Sequence, residues 1–252
     1  MIFDTHAHYD DSAFDNVRSE LLGKLPSEHV YAVINVGSNL ESSFQSIELS
    51  KKYNYIFSAV GIHPECTNEN LDKNYLEKLE NMLNNNKIVA VGEIGLDFHR
   101  LNNFSEQERI FEEQIQLALK KNLPVLVHSR EASEHTLRIL KKYKPKCVVH
   151  CFNGDQKFAK ELLNLDFKVG VGGIITFKKS ENLINTIKQI PIENILLETD
   201  APYLAPVPMR GKLCNSSFIK FTAKKLAEIK GINIENIYNI TKNNAIKFFG
   251  LN

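Results

Sequence analysis

The sequence predicts a (β/α)8 barrel of the α/β class, and three observations carry that prediction. Short β-branched runs alternate with amphipathic helical segments, eight such runs fit within the chain, and polar residues gather at the C-terminal ends of run after run. An open doubly wound sheet shares the alternation but concentrates its site at one switch point. Here the polar residues recur at the ends of the first, fourth, fifth, sixth and eighth runs. A closed ring is the arrangement that brings all those ends together.

The first strand is read at Ile2–His8, and Phe14, Val17, Leu21 and Leu25 follow it at helical spacing. Val30–Val36 is the second strand and Ile56–Ile62 the third, the latter followed by a helix carrying Leu76, Leu79 and Leu83. Ile88–Ile94 is the fourth. Phe111, Ile115, Ala118 and Leu119 then mark a helix that Ser105 and Glu108 would open as a capping box. Pro124–His128, Cys147–Phe152, Phe167–Ile174 and Ile195–Asp200 complete the strands, each mostly apolar, as expected for strands covered on both faces. Beyond them lie a proline-rich loop from Pro202 to Pro208 and two closing helices near Ser217–Lys230 and Thr241–Phe249.

A chain of 252 residues, 43% hydrophobic and 24% charged, suits one barrel domain spanning residues 1–252. The formal net charge of +1 excludes a global basic field, so any affinity for phosphate must be local. Cys66, Cys147, Cys151 and Cys214 lack zinc-ribbon spacing and are too few for a disulfide scaffold, which makes reduced thiols the expectation. No apolar run approaches the roughly 18 to 20 residues of a membrane span, and the N-terminus has no signal-peptide pattern. The expected location is the cytoplasm, with no membrane association and no obligate protein partner.

His6, His8, His63, His128 and His150 all fall at or just beyond a strand's C-terminal end. In Asp4-Thr5-His6-Ala7-His8 the two histidines lie two apart on a strand, so both imidazoles project to one side and form a chelating pair. Glu93, in Val91-Gly92-Glu93-Ile94-Gly95, is a carboxylate among apolar residues and glycines, and a metal gives it a reason to be buried. His128, His150 and Asp200 end the fifth, sixth and eighth strands. The set His6, His8, Glu93, His128, His150 and Asp200 exceeds what one catalytic ion requires, and two divalent ions sharing Glu93 would use it fully. Such a pair, about 3.5 to 4 Å apart, stabilises the attacking and leaving oxygens of an in-line displacement. Asp200 and Glu93 are therefore the candidate catalytic carboxylates, with Asp200 placed to accept the proton of the attacking water.

Glu198, two residues before Asp200, reads as a partner orienting a histidine more than as a second base. Strand parity turns Cys147 and Cys151 away from the face that His150 uses, so both read as packing residues. Candidate phosphate contacts are His63, Arg130 and Arg210, with Arg100 and Lys178 in comparable loops. Arg130 follows a candidate ligand by two residues, and Arg210 sits in the loop after Asp200. His99 shows no ligand spacing, and His29 and His135 look structural.

Taken in order, these segments resemble the TatD family of metal-dependent deoxyribonucleases, among the amidohydrolase-like metal-dependent hydrolases. The resemblance runs nearly end to end and rests on Asp4-Thr5-His6-Ala7-His8, Gly61-Ile62-His63-Pro64, Val91-Gly92-Glu93-Ile94-Gly95-Leu96-Asp97, Pro124 to Arg130, His150-Cys151-Phe152 and Leu197 to Pro206. It implies that His6, His8, Glu93 and Asp200 bind one ion and Glu93, His128 and His150 the other. It also implies DNA hydrolysis with two Mg²⁺ ions, Mn²⁺ or Zn²⁺ being alternatives, typically from a 3′ end. The match departs where the family commonly reads Asn-Glu-Pro after its Arg-Gly-Lys, since this chain continues Arg210-Gly211-Lys212-Leu213-Cys214-Asn215-Ser216-Ser217. That loop is expected to flank the substrate, which here would be DNA or a small phosphate ester. The rival expectation is a metallohydrolase of a lactone or cyclic amide; many of those bridge their ions with a carboxylated lysine, where this chain presents Glu93.

Overall fold

The computed structural model describes residues 1–68, 71–100 and 102–251. Among them, eight strands form one sheet in the order β1 to β8: β1 (Ile2–Ala7), β2 (Val30–Val36), β3 (Ile56–Val60), β4 (Ile88–Asp97), β5 (Val125–Arg130), β6 (Cys147–Val149), β7 (Lys168–Val171) and β8 (Ile195–Leu197). Sequence-adjacent strands pair in parallel, and Ala7 bridges Ala201 in parallel, returning the last strand to the first. This is the (β/α)8 barrel. Helices α1 (Arg18–Lys24), α2 (Leu40–Lys52), α3 (Tyr75–Met82), α4 (Phe104–Lys120), α5 (Ser133–Tyr143), α6 (Gln156–Asn164) and α7 (Glu181–Gln189) alternate with the strands, and α8 (Ile219–Lys230) and α9 (Ile234–Phe249) follow β8.

Packing divides the chain into two compact units, Met1–Asn35 with Cys151–Asn252, and Val36–His150. In the second, Ile47, Val60, Ile62, Tyr75, Leu79, Ile88, Ile110 and Leu117 form one buried cluster, which is where the apolar stripes of α2, α3 and α4 meet the strands. In the first, Phe3 packs against Phe249 and Phe152 stacks on Phe158, tying β1 to α9 and the chain after β6 to α6.

Several local expectations shift. β4 runs three residues past Ile94 to Asp97, whereas β6 stops at Val149 and β8 at Leu197. His150 and Asp200 are therefore placed by turns, with Cys151 at φ 43 and Asp200 at φ 61, both left-handed. Strand parity consequently does not apply to Cys151, which is half-buried, while Cys147 is buried; all four cysteines are free thiols. The proposed capping box at Ser105 and Glu108 does not form. Helix α4 begins two residues earlier than that box would set, at Phe104 behind Asn103, so Ser105 already lies inside the first turn. Leu119 is 44% exposed rather than part of the apolar stripe, and Val17 precedes α1 at 40% exposure. Helix α9 starts at Ile234, seven residues before the expected Thr241, because Asn233 caps it by accepting the Glu235 N–H. No described helix is long and apolar enough to cross a membrane.

Candidate active site

In the unit Val36–His150 the polar residues at the strand ends converge on Glu93. Two glycines allow this. A Cβ on Gly92 would lie 2.6 Å from Cβ of Leu126 on β5, and Gly95, at φ +140, occupies a conformation that side chains rarely adopt and would run into the His128 carbonyl. With glycine at both places β4 and β5 approach closely on either side of Glu93, and His128 comes alongside it. The Glu93 carboxylate is 4% exposed, and a single oxygen, Oε1, faces His150 Nε2 at 2.6 Å, His128 Nδ1 at 2.8 Å and His63 Nε2 at 3.3 Å. Donor atoms of His63, Glu93 and His128 all lie within 4.8 Å of one another.

Burial alone would push the Glu93 carboxyl up. The imidazoles of His150 and His63 beside it and the hydrogen bonds from His128 and His150 overcome it and hold the carboxyl well below the usual carboxylate range. His128 shows the reciprocal effect: burial favours its neutral form, but hydrogen bonds to Asp97 and Glu93 push its pKa up to about 9. A divalent ion accepts nitrogen and oxygen donors of this kind, so the residues present fit one.

Asp97 is the residue that sequence reasoning passed over. Its Oδ2 lies 3.1 Å from His128 Nε2, and its Oδ1 accepts the backbone N–H groups of His99 at 2.9 Å and Arg100 at 3.3 Å. Gln107 holds the backbone of the same residue, accepting from its N–H at 2.8 Å and donating to its carbonyl at 3.0 Å. Asp97 therefore fixes the ring of His128 from the side opposite Glu93. Its spacing of four from Glu93 along one strand was the available signal.

In the unit Met1–Asn35 with Cys151–Asn252, His6 Nε2 lies 3.2 Å from His8 Nε2, and His8 Nε2 lies 3.4 Å from Asp200 Oδ1. Backbone bonds hold the three together: Asp200 N–H donates to the His6 carbonyl at 2.9 Å, and His8 N–H to that of Ala201 at 2.7 Å. Beneath them Asp4 is fully buried, accepting from Thr199 Oγ1 at 2.7 Å, Ser216 Oγ at 2.6 Å and the backbone N–H groups of Thr199 and His6. Burial pushes the Asp4 carboxyl up to about 6 against those hydrogen bonds. Ser216 is fully buried and also meets the hydroxyl of buried Tyr9 at 2.7 Å. The segment expected to flank substrate thus contributes Ser216 to the support under His6. Glu198 is 1% exposed and accepts the Cys151 N–H at 2.5 Å, which fixes the turn that follows His150.

The remaining candidates separate. His63 Nδ1 accepts the Glu65 backbone N–H at 3.1 Å, which leaves its proton on Nε2 as a donor. Arg130 is exposed at the end of β5. Arg210 is exposed with its guanidinium stacked over the Phe177 ring, 4.0 Å from the centroid, and donates to the Ala205 carbonyl at 3.2 Å. Arg100 is engaged by Glu65 at 3.0 Å, and Lys178 is exposed. His99 and His135 meet Glu131 and Glu108 on the surface, both at 2.6 Å, and His29 ends a helical turn at φ 64.

A model of the family described as TatD related DNase matches residues 3–250. The uncharacterized metal-dependent hydrolase YabD of Bacillus subtilis is 34% identical over 256 residues, covering all of both chains. Among solved structures, YJJV, a TatD homologue from Escherichia coli, matches with a TM-score of 0.94 and 29% identity, over 100% of this chain and 98% of that one. A TatD family hydrolase from Entamoeba histolytica matches with a TM-score of 0.90 and 26% identity, over the same shares.

Proposed function

We propose that this chain, which belongs to the TatD family of metal-dependent hydrolases, cleaves phosphodiester bonds of DNA and releases nucleotides from a 3′ end. The observation that carries the reading is the buried Glu93 carboxylate, met by three imidazole nitrogens. We assign His6, His8, Glu93 and Asp200 to one divalent ion and Glu93, His128 and His150 to a second. When bound, the ions would supply positive charge that acidifies water and offsets the charge developing on a phosphate.

The protein's own groups do the rest. Asp200 accepts the proton of the attacking water. Asp97 keeps His128 turned toward Glu93, and Asp4 does the same for the backbone that carries His6. His63, with its proton on Nε2, donates to a phosphate oxygen, and Arg130 and Arg210 hold oxygens further along the chain. Stacking on Phe177 limits the orientations of Arg210 and leaves its edge for hydrogen bonding. Four imidazoles in the donor set suit Mn²⁺ or Zn²⁺ at least as well as Mg²⁺, which prefers oxygen ligands.

The test is the product pattern from 5′-labelled single-stranded and duplex DNA in Mg²⁺, in Mn²⁺ and in chelator. A ladder shortening one nucleotide at a time from the 3′ end, absent in chelator, is expected. Internal cuts appearing first would remove the exonuclease part, and faster turnover of a lactone or cyclic amide would remove the DNA part. Arg130→Ala and Arg210→Ala should each weaken DNA binding about fivefold, as expected for one exposed charge contact of about 1 kcal/mol, while metal content stays unchanged. With a net charge of +1 no broad basic surface compensates, so each substitution should lower the salt slope of binding by up to about one. A titration series in which neither arginine matters would exclude both as phosphate contacts.

A further inference from the structure

We infer that Tyr203 is a stacking platform for the nucleobase next to the scissile phosphate, an assignment that rests on the nucleic-acid reading above. Its side chain is 54% exposed, whereas Tyr9 and Tyr75 are buried at 0% and 4%. An exposed tyrosine usually keeps its rotamer freedom. This one does not. Its hydroxyl donates to Asp11 Oδ2 at 2.6 Å, and the other oxygen of that carboxylate accepts the Ala13 N–H at 2.8 Å. Arg18 locks the Asp11 loop in turn, donating to the carbonyls of Tyr9 at 2.6 Å and Asp11 at 2.9 Å.

The location gives the fixed ring its meaning. Tyr203 N–H donates to the Asp200 carbonyl at 2.8 Å, and Asp11 N–H to the His8 carbonyl at 3.1 Å. Each therefore lies one tight turn beyond a candidate ligand, and His8 and Asp200 are themselves 3.4 Å apart. The Tyr203–Asp11 bond spans the rim directly outside that pair. Cys214 N–H closes the loop onto the Pro202 carbonyl at 3.0 Å, and the same loop carries Arg210 and Lys212. Proteins hold single-stranded nucleic acid without reading its sequence by combining aromatic rings with cationic side chains, because every base offers a π-face, and this loop carries both. Fixing the ring in advance lowers the ordering cost of stacking.

The chain contains no tryptophan, so Tyr203→Trp introduces a single fluorophore. Its emission should be quenched by a single-stranded oligonucleotide with a phosphorothioate at the terminal bond. An oligonucleotide of equal length whose terminal residues are abasic should leave the emission unchanged. In parallel, the preference of the wild type for base-containing over abasic termini, measured as a ratio of kcat/KM, should fall about 5- to 150-fold in Tyr203→Leu and much less in Tyr203→Phe, which keeps the ring. Equal quenching by both oligonucleotides, or a ratio that Tyr203→Leu does not change, would overturn the stacking role. Quenching of Tyr203→Trp in this pattern, together with a wild type that cleaves no DNA, would instead overturn the hydrolytic reading and leave the stacking role standing.

Discussion

Asp200→Asn is expected to leave the protein folded and to lower turnover by about 10²- to 10⁴-fold, the range that a positioned general base contributes. The backbone should not resist the change. Asp200 sits at φ 61, where Asn is among the residues best tolerated, and its structural bond to the His6 carbonyl is made by the main chain. The amide keeps one oxygen directed toward His8 but cannot take a proton from water at neutral pH. The comparison must be made at matched metal occupancy, since the same substitution removes a charged donor. Turnover unchanged under those conditions would exclude Asp200 as the proton acceptor.

Glu93→Gln should act earlier, on metal occupancy itself. Glu93 Oε1 is approached by His150, His128 and His63, and a neutral amide removes the charge that draws those nitrogens and an ion together. Altering groups that merely orient ligands already costs about 10- to 100-fold in metal affinity, so losing the shared carboxylate should cost at least about 100-fold and abolish hydrolysis at ordinary metal concentrations. In metal-free protein the His128 pKa should also fall from about 9, because Glu93 is one of the two carboxylates, with Asp97, that raise it. Metal content after dialysis, read beside the imidazole NMR titration of His128, tests both consequences. Two ions retained with full activity would show that Glu93 is not shared.

Much of the fold and of the candidate site was legible in the sequence because both depend on patterns along single strands. Apolar runs of strand length located all eight strands, and a histidine or acid at a run's end located Glu93 and His128 closely. What was not legible depends on contacts distant in sequence. Asp200 and His150 looked like strand ends, yet β8 and β6 stop short of them and turns at positive φ aim their chains, a choice made by backbone partners rather than by residue type. The role of Asp97 required β4 to continue past Ile94 beside β5. Ser216 gave no signal as a buried hydrogen-bond donor, because its partner Asp4 lies at the other end of the chain. His63 shows a finer limit: its position was visible, but the backbone N–H of Glu65 that fixes its tautomer was not.

Two quantities are decisive: the number of ions the donor set holds and the dependence of hydrolysis on them. Metal-stripped protein titrated with Mn²⁺, with bound metal counted by elemental analysis while cleavage of a 5′-labelled oligonucleotide is followed, measures both at once. The predicted result is two ions per chain at saturation, with cleavage absent from the stripped protein and restored as the ions bind. Undiminished cleavage by the stripped protein, or no cleavage once both positions are filled, would contradict it.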